Sequence, residues 1–115
     1  MIKPSDPREL AIDLLPRSIC SVQVAAVIAD SHGIFAWGWN SAGTGLGEHA
    51  EAAAIRRASK RRLKGATIYI ASQRRRISKP ICSKPCPECW GRVESAHARK
   101  VVWREANGVW QEYWL

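Results

Sequence analysis

Short apolar runs alternate along the chain with polar breaks marked by glycine or proline, and most runs have a readable period. Leu10, Ile12 and Leu14 follow Asp6, Pro7 and Glu9 in "SDPRELAIDLL". A capping aspartate, proline at the first helical position and an acidic first turn predict a helix there. "VQVAAVIAD" (22–30), rich in valine and isoleucine, predicts a buried strand. A turn at Asp30-Ser31-His32-Gly33 leads to "IFAWGWN" (34–40), a second strand whose two-residue period places Phe35, Trp37 and Trp39 on one face. "SAGTGLG" predicts a flexible loop. An alanine run then predicts a helix from about His49 to Arg61, with Arg56, Arg57, Lys60 and Arg61 on its wet side.

"GATIYIAS" predicts a third strand, "QRRRISKP" a basic loop, and residues 86–97 a short helix. "KVVWREA", Asn107-Gly108 and "VWQEYWL" predict a strand, a tight turn and an antiparallel strand, since Asn-Gly is the strongest short hairpin signal. The order α-β-β-α-β-α-β-β predicts an α/β fold: a single mixed five-stranded sheet with helices packed on it. The length of 115 residues predicts one domain over 1–115, and 46% hydrophobic residues suffice for a core.

Charge and cysteine usage narrow the function classes. No window is apolar for long enough to span a bilayer and nothing near Met1 resembles a signal peptide, so an intracellular, cytoplasmic location is expected, with no membrane partner. The net charge of +8 favours a polyanionic partner. Four unevenly spaced cysteines in a reducing compartment point to metal or catalysis rather than disulfides. Cys20 is expected to be a small buried residue. Alternation on strands assigns Trp37, Trp39, Trp103 and Trp110 to core packing, whereas Trp90 follows Cys89 and is expected near a pocket.

Candidate chemistry concentrates in "HAEAAAI" and "PCPEC". With Cys86 capping its helix, Pro87 takes the first position and Cys89 the third, so both sulfurs reach one side of the helix mouth. The positive helix end favours thiolates. Two thiolates and His49 make a three-ligand zinc set that leaves a fourth position for water. Glu51, two residues beyond His49, converges on such a metal only if the ion lies off the first turn of its helix. Cys82 offers an alternative: a closed Cys₃His site with His49, Cys86 and Cys89 and no catalysis. Cys82, Cys86 and Cys89 also spell the radical-SAM cluster spacing, but that fold needs a much longer chain. His32, in a turn, and His97, at a helix end, have no ligand partner in the sequence.

H-A-E followed by P-C-x-x-C resembles the zinc-dependent cytidine deaminase superfamily. The resemblance covers most of the chain. It implies one zinc held by His49, Cys86 and Cys89, with Glu51 as the proton shuttle. By the same analogy Asn40 holds the sugar, the Ala50 amide and the Lys84 carbonyl read the base, and Trp90 lies beside the pocket. The chain departs from the family pattern in a long gap between His49 and Cys86, and in Lys84, where relatives often carry serine or glutamate. The terminal hairpin resembles the cytidine-type branch. The function expected is hydrolytic deamination of cytosine to uracil in single-stranded nucleic acid, DNA first, with Arg56, Arg57, Lys60, Arg61, Arg74, Arg75 and Arg76 tracking phosphates. A free cytidine, deoxycytidine or dCMP deaminase is the alternative. A non-catalytic basic zinc module is the third.

Overall fold

The computed structural model describes residues 6–41 and 48–115; the glycine loop expected at 41–47 lies almost wholly outside them. Helix α1 (Pro7–Leu14) starts as predicted, its Asp6 side chain accepting from the Arg8 amide, and runs into a 3-10 turn at Leu15–Arg17. Strands β1 (Val22–Asp30) and β2 (Gly33–Trp39) follow, then α2 (Ala50–Arg57), α3 (Lys60–Leu63) and β3 (Thr67–Arg74). The chain closes with β4 (Lys79–Pro80), α4 (Pro87–Ser95), β5 (Lys100–Arg104) and β6 (Trp110–Trp114).

The sheet runs β2-β1-β3-β5-β6. All neighbours on this path are antiparallel except β3 and β5, which are parallel. β1 is buried on both faces. Ala25 and Val27 pack with Ala11, Leu14 and Leu15 of the α1 layer. Ala26 and Ile28 pack with Ala50 and Ala54 of α2 and Val93 of α4. The predicted α/β class and mixed sheet are present, and the predicted elements follow one another in the predicted order with α3 and β4 added between them.

Several details depart from the sequence reading, each for a local reason. The sheet has six strands, not five, because the basic segment doubles back and Lys79 and Pro80 pair with Arg74 and Gln73. The helix expected over 49–61 breaks after Arg57, where Ala58 turns extended. That break resets the helical phase, so α3 buries Leu63 and sends Arg62 to Asp30. β1 and β2 shift register between Ile28 and Ala29: Ile28 faces Ala36 and Ala29 faces Ile34, leaving Phe35 as the extra residue of a bulge. Phe35 therefore packs in the α2 layer while Trp39 packs in the α1 layer. Trp37, on the edge strand, is 44% exposed rather than in the core. Trp103 is buried, Trp39 and Trp110 are half-buried, and Cys20 is half-buried rather than buried. The last hairpin is antiparallel as expected, but its loop is three residues long. Glu105 pairs with Val109, and Gly108 takes the left-handed conformation (φ 85°) that ends such a loop. Among the described residues, no helix is long and apolar enough to cross a membrane.

Candidate metal and catalytic site

Two helix mouths meet at one end of the sheet. His49 sits just ahead of α2 in extended backbone, makes no capping bond with its side chain, and so carries its imidazole off the first turn. Cys86 holds the equivalent position on α4, with Pro87 at the first helical position and its carbonyl accepting from the Trp90 amide at 2.8 Å. The segment leading into α4 is fastened to the sheet. The Ile81 amide donates to the Ser72 carbonyl, the Ser83 amide donates to the Arg104 carbonyl at 2.8 Å, and the Ser72 and Ser83 hydroxyls share a hydrogen bond of 2.7 Å.

The ligand atoms of His49, Cys86 and Cys89 all lie within 4.8 Å of one another, with His49 Nδ1 3.0 Å from Cys89 Sγ. Zinc bonds of about 2.0–2.3 Å in a tetrahedron hold donor atoms roughly 3.5 Å apart, so this set fits one zinc with small adjustment. Nitrogen and two sulfurs are also zinc's usual donors. Burial, with the charges of Glu51 and Cys86, pushes the Cys89 thiol well up, so its thiolate is costly in charge until a cation takes the place of the proton. Cys82 is not part of this cluster. It is exposed, and its thiol meets the Glu105 carboxylate instead, so the closed Cys₃His arrangement is not formed.

Glu51 lies in the first turn of α2 and is 4% exposed. Burial raises its pKa, against the opposing pulls of its own backbone amide, the His49 charge and a hydrogen bond with Cys89. The convergence that the sequence allowed only at the helix mouth is thus present: Glu51 sits beside Cys89 without belonging to the donor cluster. A cavity of about 440 Å³ opens there, lined among others by Val24, Asn40, His49, Ala50 and Glu51. That volume is in the range of small-ligand sites.

The other expected site residues divide. Asn40 lines the cavity, yet its side chain is also a structural clip. Its oxygen accepts from the Val24 amide (2.9 Å) and the Ser18 hydroxyl (2.7 Å), and its amide donates to the Val22 carbonyl (2.8 Å). Lys84 is exposed and its ammonium lies 5.8 Å over the Trp103 ring. Trp90, expected beside the pocket, packs edge-on to Trp103 and Tyr113 in the α4 layer and is not among the cavity residues. Its place one residue after Cys89 turns it roughly 100° around the helix from the sulfur.

The basic residues also differ from one another. Arg56 is tied to Glu48 by two bonds of 2.9 Å. Arg62 is tied to Asp30 by two bonds of 2.8 Å. Arg57 donates to the Trp37 carbonyl and lies over the Trp39 ring. Lys60 and Arg61 are exposed. Arg74 ends β3 and Arg75 and Arg76 follow it in the β3–β4 connection, all three exposed, with one Arg75 nitrogen anchored on the Ile19 carbonyl. Arg74 pairs with Val22, two residues from the cavity residue Val24, which puts this basic turn at the cavity's end of the sheet. Val24, Ser41 and Glu48, all cavity residues, escaped the sequence reading. The position of Glu48 beside His49 was the available signal; Val24 looked like any strand valine.

Residues 8–105 match the sequence profile of the cytidine and deoxycytidylate deaminase zinc-binding region. Among curated proteins no sequence matches. Solved structures do. A cytidine deaminase from Burkholderia pseudomallei superposes with a TM-score of 0.73 at 17% identity, over 98% of this chain and 93% of that one. A dCMP deaminase from the cyanophage S-TIM5 gives 0.59 at 21% identity, over 94% and 90%. Acinetobacter baumannii RibD gives 0.60 at 26% identity over 84% of this chain, but only 26% of its own.

Proposed function

Since the chain belongs to the cytidine and deoxycytidylate deaminase family, we propose that it hydrolyses the exocyclic amine of cytosine to give uracil, and that its substrate is single-stranded nucleic acid, DNA first. His49, Cys86 and Cys89 would hold the zinc, which supplies a water activated for attack at neutral pH. Glu51 takes the proton of that water as oxygen adds to C4 of the ring, and delivers it to N3. A second proton passes through Glu51 to the amine, the C4–N bond breaks, and ammonia leaves with uracil behind. Burial suits Glu51 to this exchange, because desolvation strengthens the carboxylate as a base and raises its pKa toward the working pH, where one group can take a proton and later give it back. The Ala50 amide at the helix mouth and the Lys84 carbonyl hold the base edge, and Asn40 meets the sugar from the wall of the cavity.

The observation that carries the polynucleotide reading is the exposed Arg74–Arg76 turn at the cavity's end of the sheet. A row of cations leading to the cavity suits a chain of phosphates. A second reading, a free nucleoside or nucleotide substrate, is favoured by the arginines of α2 and α3. Arg56, Arg57 and Arg62 are engaged within the protein, and the cavity has room for about one nucleoside. Parallel incubation of the zinc-loaded protein with deoxycytidine, dCMP and a cytosine-containing single strand at low salt separates the two. Uracil in the strand at the highest turnover supports the first reading. Product from the small substrates alone replaces it with the second.

A further inference from the structure

The two edges of the sheet are treated differently. At β2 the Phe35 bulge interrupts the ladder, and Arg57 donates to the Trp37 carbonyl at 3.2 Å. Bulges and covering side chains of this kind keep an edge from pairing with another chain. β6 has neither device. It is regular over Trp110–Trp114, holds no proline, and carries one charged residue, Glu112, partly neutralised by Lys100 at 3.3 Å. Tyr113 and Trp114 are each 52% exposed. A regular edge with exposed aromatic residues is a template for another strand.

The hydrogen-bond pattern fixes which groups are on offer. Leu115 donates to the Arg99 carbonyl and Glu105 donates to the Val109 carbonyl, so the odd-numbered residues of β6 turn their backbone groups toward β5. By alternation, Trp110, Glu112 and Trp114 turn theirs outward. We propose that this edge pairs with β6 of a second copy of the chain, antiparallel about a two-fold axis, with Glu112 opposite the second copy's Trp114. Charge decides the register. Glu112 opposite Glu112 would set like charges face to face, which destabilises a strand pair. Moving by one step places Glu112 against the second copy's Trp114, over whose ring Arg99 and Lys100 each lie at 4.7 Å. Each carboxylate then keeps its own Lys100 and gains the second copy's Arg99. The same register sets Tyr113 opposite the second copy's Tyr113 as a non-hydrogen-bonded pair, the closer kind, on the face where Tyr113 packs on Trp90 at 5.2 Å. The two sheets become one continuous sheet with β6 at its centre.

Light scattering on the zinc-loaded protein tests the pairing, and cross-linking tests the register. Glu112→Pro removes an outward N–H, and Trp114→Lys puts a charge on the edge beside Arg99 and Lys100. Either change should halve the mass of the assembly while the folded circular dichroism persists. Should Glu112→Pro fail to fold, Trp114→Lys alone decides. Tyr113→Cys should form a covalent dimer on mild oxidation, because a non-hydrogen-bonded pair, with Cα atoms about 4.5 Å apart, fits disulfide geometry. Glu112→Cys and the unaltered protein should not. A monomeric unaltered protein, a mass unchanged in a folded edge variant, or cross-linking through Glu112→Cys in place of Tyr113→Cys would each overturn the proposal.

Discussion

Gly38 of β2 and Ala53 of α2 lie so close that a β-carbon on the glycine would stand 2.7 Å from that of Ala53 and 2.7 Å from the Ala54 amide nitrogen. This contact seats α2 on the sheet and thereby sets the position of His49 and Glu51 at its mouth. Gly38→Ala must push the helix out, since the obstacle is partly backbone. The expected cost is about 1–3 kcal/mol, as for other overpacked sites, together with weaker zinc retention against a chelator. Gly91→Ala is the control. Its β-carbon meets nothing within 4 Å inside α4, so the change should raise stability by about 0.5–1 kcal/mol. Thermal unfolding and zinc content of the two variants make the comparison.

Glu51→Gln keeps the shape of the buried side chain and removes its proton chemistry. The variant should fold and bind one zinc per chain, yet lose a factor of about 10²–10⁴ in turnover or more. Near-normal turnover would exclude Glu51 as the shuttle.

Cys82→Ser tests the limits of the metal cluster. The Cys82 thiol meets Glu105, outside the donor set, so the variant should retain full zinc by atomic absorption. Cys86→Ser and Cys89→Ser should lose it. Zinc loss in Cys82→Ser would show a fourth protein ligand.

The site was legible where covalent sequence carried it. H-A-E and P-C-x-x-C place donors at two helix mouths, and backbone geometry does the rest. The strands were legible because β1 and β3 are nearly continuous apolar runs, as doubly covered strands are. What escaped depended on single tertiary contacts. The Phe35 bulge reverses one face of β2 within an unbroken apolar run. The break at Ala58 falls in a stretch of good helix formers, where the burial of Leu63 overrides propensity. Arg56 and Arg62 read as a solvated basic face, because the carboxylates that hold them, Glu48 and Asp30, are eight and thirty-two residues away in sequence. The paired edge of β4 arises in a segment with no apolar alternation at all.

Asp30 makes the acid limb of stability testable. The Arg62 guanidinium, helped by the His32 amide, lowers its carboxyl from the ordinary 3.8 to about 2. A depressed carboxyl is ionised in the folded protein while the unfolded chain takes up a proton. Its contribution is therefore complete above about pH 4 and lost as pH falls through about 2. Asp30→Asn should be less stable than the unaltered protein at pH 6, and the difference should shrink steadily between pH 4 and pH 2. Urea unfolding at a series of pH values measures it. A difference that stays constant across that range would mean the pair contributes through packing alone.

The proposed polynucleotide substrate gives its own prediction, because the structure separates arginines held by carboxylates from those that are not. Arg56 and Arg62 already neutralise carboxylates, so changing them should act mainly through the ion pairs they lose. Arg74, Arg75 and Arg76 stand exposed at the cavity's end of the sheet. Each phosphate they neutralise releases counterions, so single-strand affinity should fall with salt at a slope of about −0.7 per contact. Changing all three to glutamate should flatten that slope by about 2 if each side chain meets one phosphate. It should also reduce deamination of a single strand far more than deamination of deoxycytidine. Equal losses on both substrates would place the effect in folding or the metal site. An unchanged slope would mean that these arginines serve only to keep a small basic surface soluble, and that the strand, if bound, follows another path.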